Sequence, residues 1–348
     1  MIIFVFLNIF RYNIMGDDLV LYKKNRISEL NTSYSINLSV LNSTLNSSIK
    51  NIQSDKRLHS QIKQARINSL ISKYFSNVNA LKIKLNNDIL SVNNYTPKKV
   101  TFAKNKKALL VGINYTGTQN ELFGCINDVN SIKERINNEG FTTINTLTDL
   151  TVKKPTRENI LDEFKKLLVN SESGDLLFFL YSGHGSYVLD KNGDEKDGYD
   201  ELLVSCDLQG ITDDDFKILI LQYLKKDVTL FAMFDCCHSG TILDLKYQFL
   251  DSLNYDKYTE NDKNIETLGN VYMISGCTDK QTSADAFINN KSQGAMTWSL
   301  LESLKTSQPK SWRELVKSMR GLLKTSKYEQ IPQFSSGTFV DIDSQVFI

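Results

Sequence analysis

Two short polar segments sit directly behind apolar runs and carry residue types suited to thiol chemistry. The run Asp175–Tyr181 leads into Ser182-Gly-His184-Gly185, and the run Val228–Phe234 leads into Asp235-Cys236-Cys237-His238-Ser239-Gly240. A thiol becomes a strong nucleophile once ionised, and a nearby imidazole lowers its pKa by charge pairing. Glycines beside the polar residues let the backbone turn sharply and come close to a ligand. Each segment alone is weak evidence, because a histidine after a strand is commonly a satisfied loop residue and a cysteine there commonly buried filler. Found together in a chain with only three histidines, they point to a Cys–His dyad. Cys236 and His238 are the rival nucleophile and base.

The elements that must hold these segments follow from pattern. Ala108-Leu-Leu-Val-Gly-Ile113 reads as a buried parallel strand. After it come helix 127–138, strand 142–147, helix 156–170, strand 175–181, helix 214–224 and strand 228–234. Strand 271–275, helices 296–304 and 311–322, and a last strand at Thr338–Ile342 complete the alternation. Thr156 has the type and position of a helix cap, and Asp215 reads as another. Strands alternating with helices give an α/β fold with a mainly parallel sheet covered on both faces, whose carboxyl edge carries the chemistry.

The 348 residues hold 41 Lys and Arg against 40 Asp and Glu. That balance hides a split. Residues 1–107 carry 17 basic and 5 acidic side chains, a charge of +12, whereas 108–348 carry 24 and 35, a charge of −11. The basic segment 1–106 is Asn- and Ser-rich, with apolar residues from Ile27 to Ile52 and from Leu58 to Ile71 at helical spacing. It reads as a largely helical arm preceding a domain over 107–348. Its charges are dispersed without interleaved aromatic stacking residues, so no nucleic-acid partner is expected. Five cysteines at no framework spacing read as reduced thiols of a cytoplasmic protein. The apolar opening of about ten residues is too short to span a bilayer and reads as a docking or disordered end, with Met15 an alternative start. No membrane span is expected, and a monomer is.

Several segments in order resemble the metacaspases, cysteine peptidases of the caspase-like clan, over about residues 107–345. They are Ala108–Tyr115, Leu122–Val129, Tyr181–Gly185, Tyr199–Leu203, Ile211–Asp215, Phe234–Gly240, Ser275–Asp285 and Gly294–Thr297. The short stretch after Cys237 is similar to type I members. The resemblance implies a caspase-like three-layer fold and a calcium-dependent endopeptidase cleaving after Arg or Lys. It makes His184 the base and Cys237 the nucleophile, with the N–H groups of Gly185 and Cys237 as oxyanion hole. It puts Cys125, Asp128, Ser182 and Asp235 around the pocket for the substrate residue before the scissile bond. Two carboxylates in a partly dry pocket need a cation beside them, and Arg supplies one bidentately. Asp200, Asp213, Asp214 and Asp244 match calcium ligands, hard oxygens of the kind Ca²⁺ takes, in an activating rather than catalytic role.

The run Asp190–Asp200 superficially suggests an EF-hand loop but lacks flanking helices, and it reads as a solvated loop. Val204-Ser-Cys-Asp207 departs from the family's Pro-containing turn, and the arm resembles no Pro-rich or zinc-finger prodomain. Expected partners are protein or peptide substrates and the chain's own basic arm. Candidate self-cleavage bonds follow Lys98, Lys99, Lys106, Lys107, Lys246, Lys257 and Lys263. A non-catalytic, caspase-like scaffold that handles aggregated partners is the competing reading.

Overall fold

The computed structural model describes residues 2–94, 103–189, 199–236, 242–249, 259–260, 266–276, 285–288, 291–307, 311–338, 340 and 342–347. The chain divides into two compact units, residues 1–97 and 98–348.

The first unit is a pair of long helices, α1 (Ile2–Ser54) and α2 (Ser60–Asn94), so the apolar opening expected to be a docking or disordered end starts a helix. The helices run antiparallel. Tyr74 Oη donates to Asn42 Oδ1 at 2.5 Å, and Lys23 Nζ reaches the Asn93 carbonyl at 2.7 Å. Leu58 falls in the turn between them, where Arg57 pairs with Asp55 at 3.0 Å. Along α2 the more buried side chains include Ile67, Ile71, Tyr74, Val78, Leu81, Leu85, Ile89 and Val92, at steps of three and four. That is the seam of a helical hairpin, and the Asn and Ser residues lie mostly on its solvated face.

The second unit runs β1 (Lys106–Gly112), α3 (Cys125–Asn138), β2 (Thr143–Thr148), α4 (Arg157–Val169), β3 (Leu176–Ser182), β4 (Gly185–Leu189), β5 (Tyr199–Val204), β6 (Gly210–Thr212), α5 (Asp213–Tyr223) and β7 (Thr229–Asp235). It continues with β8 (Tyr247–Phe249), β9 (Thr259–Glu260), β10 (Asn270–Ser275), β11 (Asp285–Ile288), β12 (Lys291–Gly294), α6 (Ala295–Thr306), α7 (Trp312–Thr325) and β13 (Gln333–Ser336). Among the described residues the main sheet has the order β2-β1-β3-β7-β10-β13-β8-β9, parallel through its first five strands. Side chains alternate between faces along each central strand. Leu109, Val111, Phe179, Tyr181, Ala232 and Phe234 pack with α4 and α5. Their neighbours Leu110, Phe178, Leu180, Phe231 and Met233 pack with α3, α6 and α7. The result is the three-layer α/β sandwich the alternation predicts.

Local chemistry sets the helix ends. Thr156 accepts the Asn159 N–H at 3.3 Å to start α4. Thr212 and Asp215 form a reciprocal capping box on α5, braced by Arg157 at 2.6 Å. Phe164, Phe179, Phe216 and Phe234 meet edge-on or tilted at 4.9–6.2 Å. Each such pair is worth about 0.5–1.5 kcal/mol beyond its buried area, and together they fix β3 against β7.

Two expectations fail. Among the described residues the last strand is β13 at Gln333–Ser336, not Thr338–Ile342. Ile342 and Ser344 instead give their carbonyls to the Arg313 and Trp312 N–H groups at the start of α7, and Asp343 pairs with Arg313 at 2.5 Å. Those amides have no partner within the helix, so the segment serves as a cap and is lost to the sheet. Second, Lys106 and Lys107 lie in β1. Lys107 is paired with both β2 and β3, and its ammonium bonds Asp175 at 2.8 Å. The bonds after these lysines lie in or beside the sheet, closed to a protease in the folded state. Small antiparallel sheets, β4-β5-β6 and β11-β12, were not expected. Of the run 190–200, Tyr199 and Asp200 belong to β5, and the rest lies outside the described residues.

Candidate active site

β3 and β7 pair in parallel with Ser182 opposite Asp235, and β1 places Gly112 opposite Ser182. Three strand ends therefore meet at the carboxyl edge of the sheet. α3 starts directly above them because the carbonyl of Cys125 packs against Gly112, where a β-carbon would lie 2.6 Å from it. Asn114 shapes the intervening loop. Its carbonyl accepts the Leu122 N–H at 2.8 Å, and its side chain accepts the Ile126 N–H at 3.1 Å.

This arrangement gathers the four expected pocket residues. Asp128, in the first turn of α3, is 1% exposed, Ser182 1%, Asp235 4% and Cys125 5%. Ser182 Oγ donates to Asp128 Oδ2 at 2.8 Å. The two carboxylates also share a partner that went unassigned in the sequence, the start of α6. The Gly294 N–H reaches Asp128 Oδ1 at 2.9 Å, and the N–H and hydroxyl of Thr297 both reach Asp235 Oδ2 at 2.8 Å. A helix N-terminus carries unsatisfied donors and a partial positive charge, so it stabilises buried carboxylates. Gly294 admits no side chain here: a β-carbon would lie 2.0 Å from Asp235 Oδ2 and 2.8 Å from Asp128 Oδ2. Only the pattern Gly-x-x-Thr at a helix start marks these residues, too common a pattern to single them out.

His184 stands two residues beyond β3, half-buried. Its Nε2 lies 2.7 Å from the Asn120 carbonyl. A carbonyl only accepts, so Nε2 is the donor in this bond, and in the neutral imidazole the lone pair falls on Nδ1. Tyr115 packs its ring against the imidazole at 4.7 Å. Gly185 opens β4 opposite Leu203. Cys237 and His238 lie outside the described residues, as does the oxyanion pairing of Cys237 with Gly185. Cys236 is described and fully buried, which keeps it from attacking a bound peptide.

Of the expected calcium ligands, Asp213 and Asp214 open α5, and Asp213 is buried. β5 pairs Leu202 with Thr212, bringing Asp200 to the same end of the small sheet as these two. The Asp200 side chain lies outside the described residues. Asp244 is 5% exposed with φ +47°, its Oδ2 bonded to Lys217 Nζ at 2.8 Å and its buried Oδ1 without a hydrogen-bond partner. Among the described residues no three His, Cys, Asp or Glu side chains converge to hold a metal. The donor chemistry nevertheless fits a hard cation, and Asp244 has an oxygen to give it.

Residues 106–246 match the family model described as metacaspase, peptidase C14 domain. Metacaspase-1 of Meyerozyma guilliermondii is 36% identical over 284 residues, covering 66% of this chain and 69% of the relative. The chain belongs to the metacaspase family. Metacaspase-3 of Trypanosoma brucei brucei is 36% identical over 262 residues, covering 68% of this chain and 72% of its own. A crystal structure of a Geobacter sulfurreducens protein aligns with TM-score 0.53 at 25% identity, over 70% of this chain and 98% of that one. Metacaspases are caspase-family cysteine peptidases, and the matched segment spans both His184 and Cys237. No described helix is long and apolar enough to cross a membrane.

Proposed function

We propose that this metacaspase is a calcium-dependent, cytoplasmic, monomeric endopeptidase that cleaves after Arg or Lys, with Cys237 as nucleophile and His184 as base. The observation that carries the reading is the buried pair Asp128 and Asp235, clamped by Ser182, Gly294 and Thr297. Two carboxylates held at fixed positions match a guanidinium or ammonium and repel an acidic residue. With Nε2 protonated toward Asn120, His184 Nδ1 takes the Cys237 proton as the thiolate attacks the scissile carbonyl. The imidazolium then protonates the leaving amine, and water hydrolyses the thioester with Nδ1 again as base. The Gly185 and Cys237 N–H groups would receive the developing oxyanion.

Asp200, Asp213, Asp214 and Asp244 would hold Ca²⁺. Bound there, the ion would order neighbouring loops by favouring one of their conformations. Lys217, now on Asp244 Oδ2, would move off or share that carboxylate. Self-processing falls to the bonds after Lys98, Lys99, Lys257 or Lys263, in or beside the acidic body's basic leader and the segment after Cys237. Lys246 lies between buried Leu245 and Tyr247, which makes its bond the less accessible of the candidates.

The test is hydrolysis of fluorogenic peptides ending in Arg, Lys or Asp, with calcium or with chelator, for wild type and Cys237→Ala. Calcium-stimulated cleavage after Arg and Lys, abolished in Cys237→Ala, is expected. Cleavage after Asp without calcium would overturn the assignment, and no hydrolysis under any condition would favour the scaffold reading.

A further inference from the structure

We propose that Tyr115 is a positioning residue for His184, an inference that rests on the dyad reading above. The backbone of Tyr115 sits at φ +52°, a conformation side-chain-bearing residues rarely adopt. The turn after it sustains that angle: the Thr118 N–H and hydroxyl both donate to the Tyr115 carbonyl, at 3.1 and 2.8 Å. From this position one side chain does two things. Its ring lies against the imidazole of His184, with 39° between the planes. Its hydroxyl accepts the His184 backbone N–H at 2.9 Å and donates to the Val204 carbonyl at 2.6 Å. The imidazole is thereby fixed on a face by Tyr115 and at an edge by the Asn120 carbonyl, which aims Nδ1.

Tyr181 completes the support from below. Its hydroxyl, 3.1 Å from that of Tyr115, shares its proton between the carbonyls of Val204 at 2.7 Å and His184 at 2.9 Å. Both phenols are buried, and burial pushes both pKa values well up, so they remain neutral donors wherever the fold survives. The pair leaves no room above it. A β-carbon on Gly183 would lie 2.7 Å from the Tyr181 hydroxyl and 2.9 Å from that of Tyr115. The two hydroxyls bond each other, the His184 backbone and the Val204 carbonyl, so their loss acts first on the base.

Tyr115→Leu removes ring and hydroxyl, and Tyr115→Phe keeps the ring. Misplacing a catalytic group by about 1 Å costs roughly 100-fold. The expected result is a fall in kcat of that order for Tyr115→Leu with KM within about threefold, and recovery to within about tenfold of wild type in Tyr115→Phe. A second readout needs no turnover: alkylation of Cys237 by iodoacetamide near neutral pH, followed by peptide mass spectrometry, with His184→Ala as baseline. Tyr115→Phe should react close to wild type and Tyr115→Leu close to the baseline. Equal kcat for the two Tyr115 variants, a loss confined to KM, or wild-type alkylation in Tyr115→Leu would overturn the proposal. Equal alkylation of wild type and His184→Ala would overturn the dyad itself, and this proposal with it.

Discussion

The same substitution at two glycines should have opposite results, and the comparison tests the carboxylate clamp. In Gly294→Ala the new methyl would sit 2.0 Å from Asp235 Oδ2 and 2.6 Å from its carboxyl carbon, far inside van der Waals contact. The neighbours at fault are buried carboxylates fixed by backbone donors, so the chain must open there. Asp235 stands to lose one or both of its 2.8 Å bonds to Thr297. Hydrogen bonds to charged groups are worth about 1.5–3 kcal/mol each. A loss of roughly 2–4 kcal/mol in pocket alignment corresponds to about 30- to 1000-fold in kcat/KM, at tenfold per 1.4 kcal/mol. On the proposed reading the clamp binds the substrate cation and does no chemistry, so most of that loss should fall on KM. Gly321→Ala is the control. It lies exposed in α7 with nothing within 4 Å of the new methyl, and helix propensity alone should stabilise it by about 0.5–1 kcal/mol. The assays are steady-state hydrolysis of an Arg-terminated peptide in calcium and urea unfolding of all three proteins. If Gly294→Ala keeps kcat/KM within threefold of Gly321→Ala, the clamp does not define the pocket and the reasoning is wrong.

Gly183→Ala should lower kcat by about 10- to 100-fold because its methyl displaces the two tyrosine hydroxyls under His184; an unchanged kcat in stopped assays would contradict this. Burial would raise the Asp175 pKa, but hydrogen bonds from the Lys107 ammonium, the Glu172 amide and Asn105 outweigh it and hold the carboxyl below its usual range. A depressed folded-state pKa stabilises above the unfolded value of about 3.9 and ceases to do so as pH falls through the folded one. Asp175→Asn should therefore lose about 1–3 kcal/mol of unfolding free energy at pH 7, a gap that narrows in urea titrations as the pH falls below the unfolded carboxyl value. Asp244→Asn removes the charge that faces Lys217 and replaces one of the two carboxylate oxygens with an amide NH2. The calcium concentration for half-maximal activity should rise at least about tenfold, and an unchanged midpoint would separate Asp244 from the metal.

The central strands were legible because their burial on both faces leaves unbroken apolar runs: Leu109 to Val111, Leu177 to Tyr181 and Leu230 to Phe234 are almost wholly buried. β13 was not, and the reason is physical. Gln333, Ser335 and Ser336 are buried, with Gln333 Oε1 and both serine hydroxyls lacking hydrogen-bond partners among the described residues. No propensity scale marks such a segment as interior sheet, whereas Thr338-Phe-Val-Asp-Ile342 looks far more like a strand. Tertiary context decides against it through the helix cap on α7. In the candidate site, Asp128, Ser182 and Asp235 were readable only through the family resemblance, since spacings of tens of residues carry no local signal. Their convergence follows from strand register. The supporting residues Tyr115, Tyr181, Gly294 and Thr297 contribute backbone-directed bonds and excluded volume, and neither leaves a trace in composition or periodicity.

The clamp on the acidic pair has a consequence for how the molecule comes into being. Asp128, Ser182 and Asp235 are synthesised well before Gly294 and Thr297, the residues that hold the two carboxylates in place. A chain still on the ribosome at residue 280 has every strand of the central trio and two mutually repelling buried acids, but no helix end to compensate them. The two acids gain these compensating donors only once residues 294–297 have been made and α6 has docked.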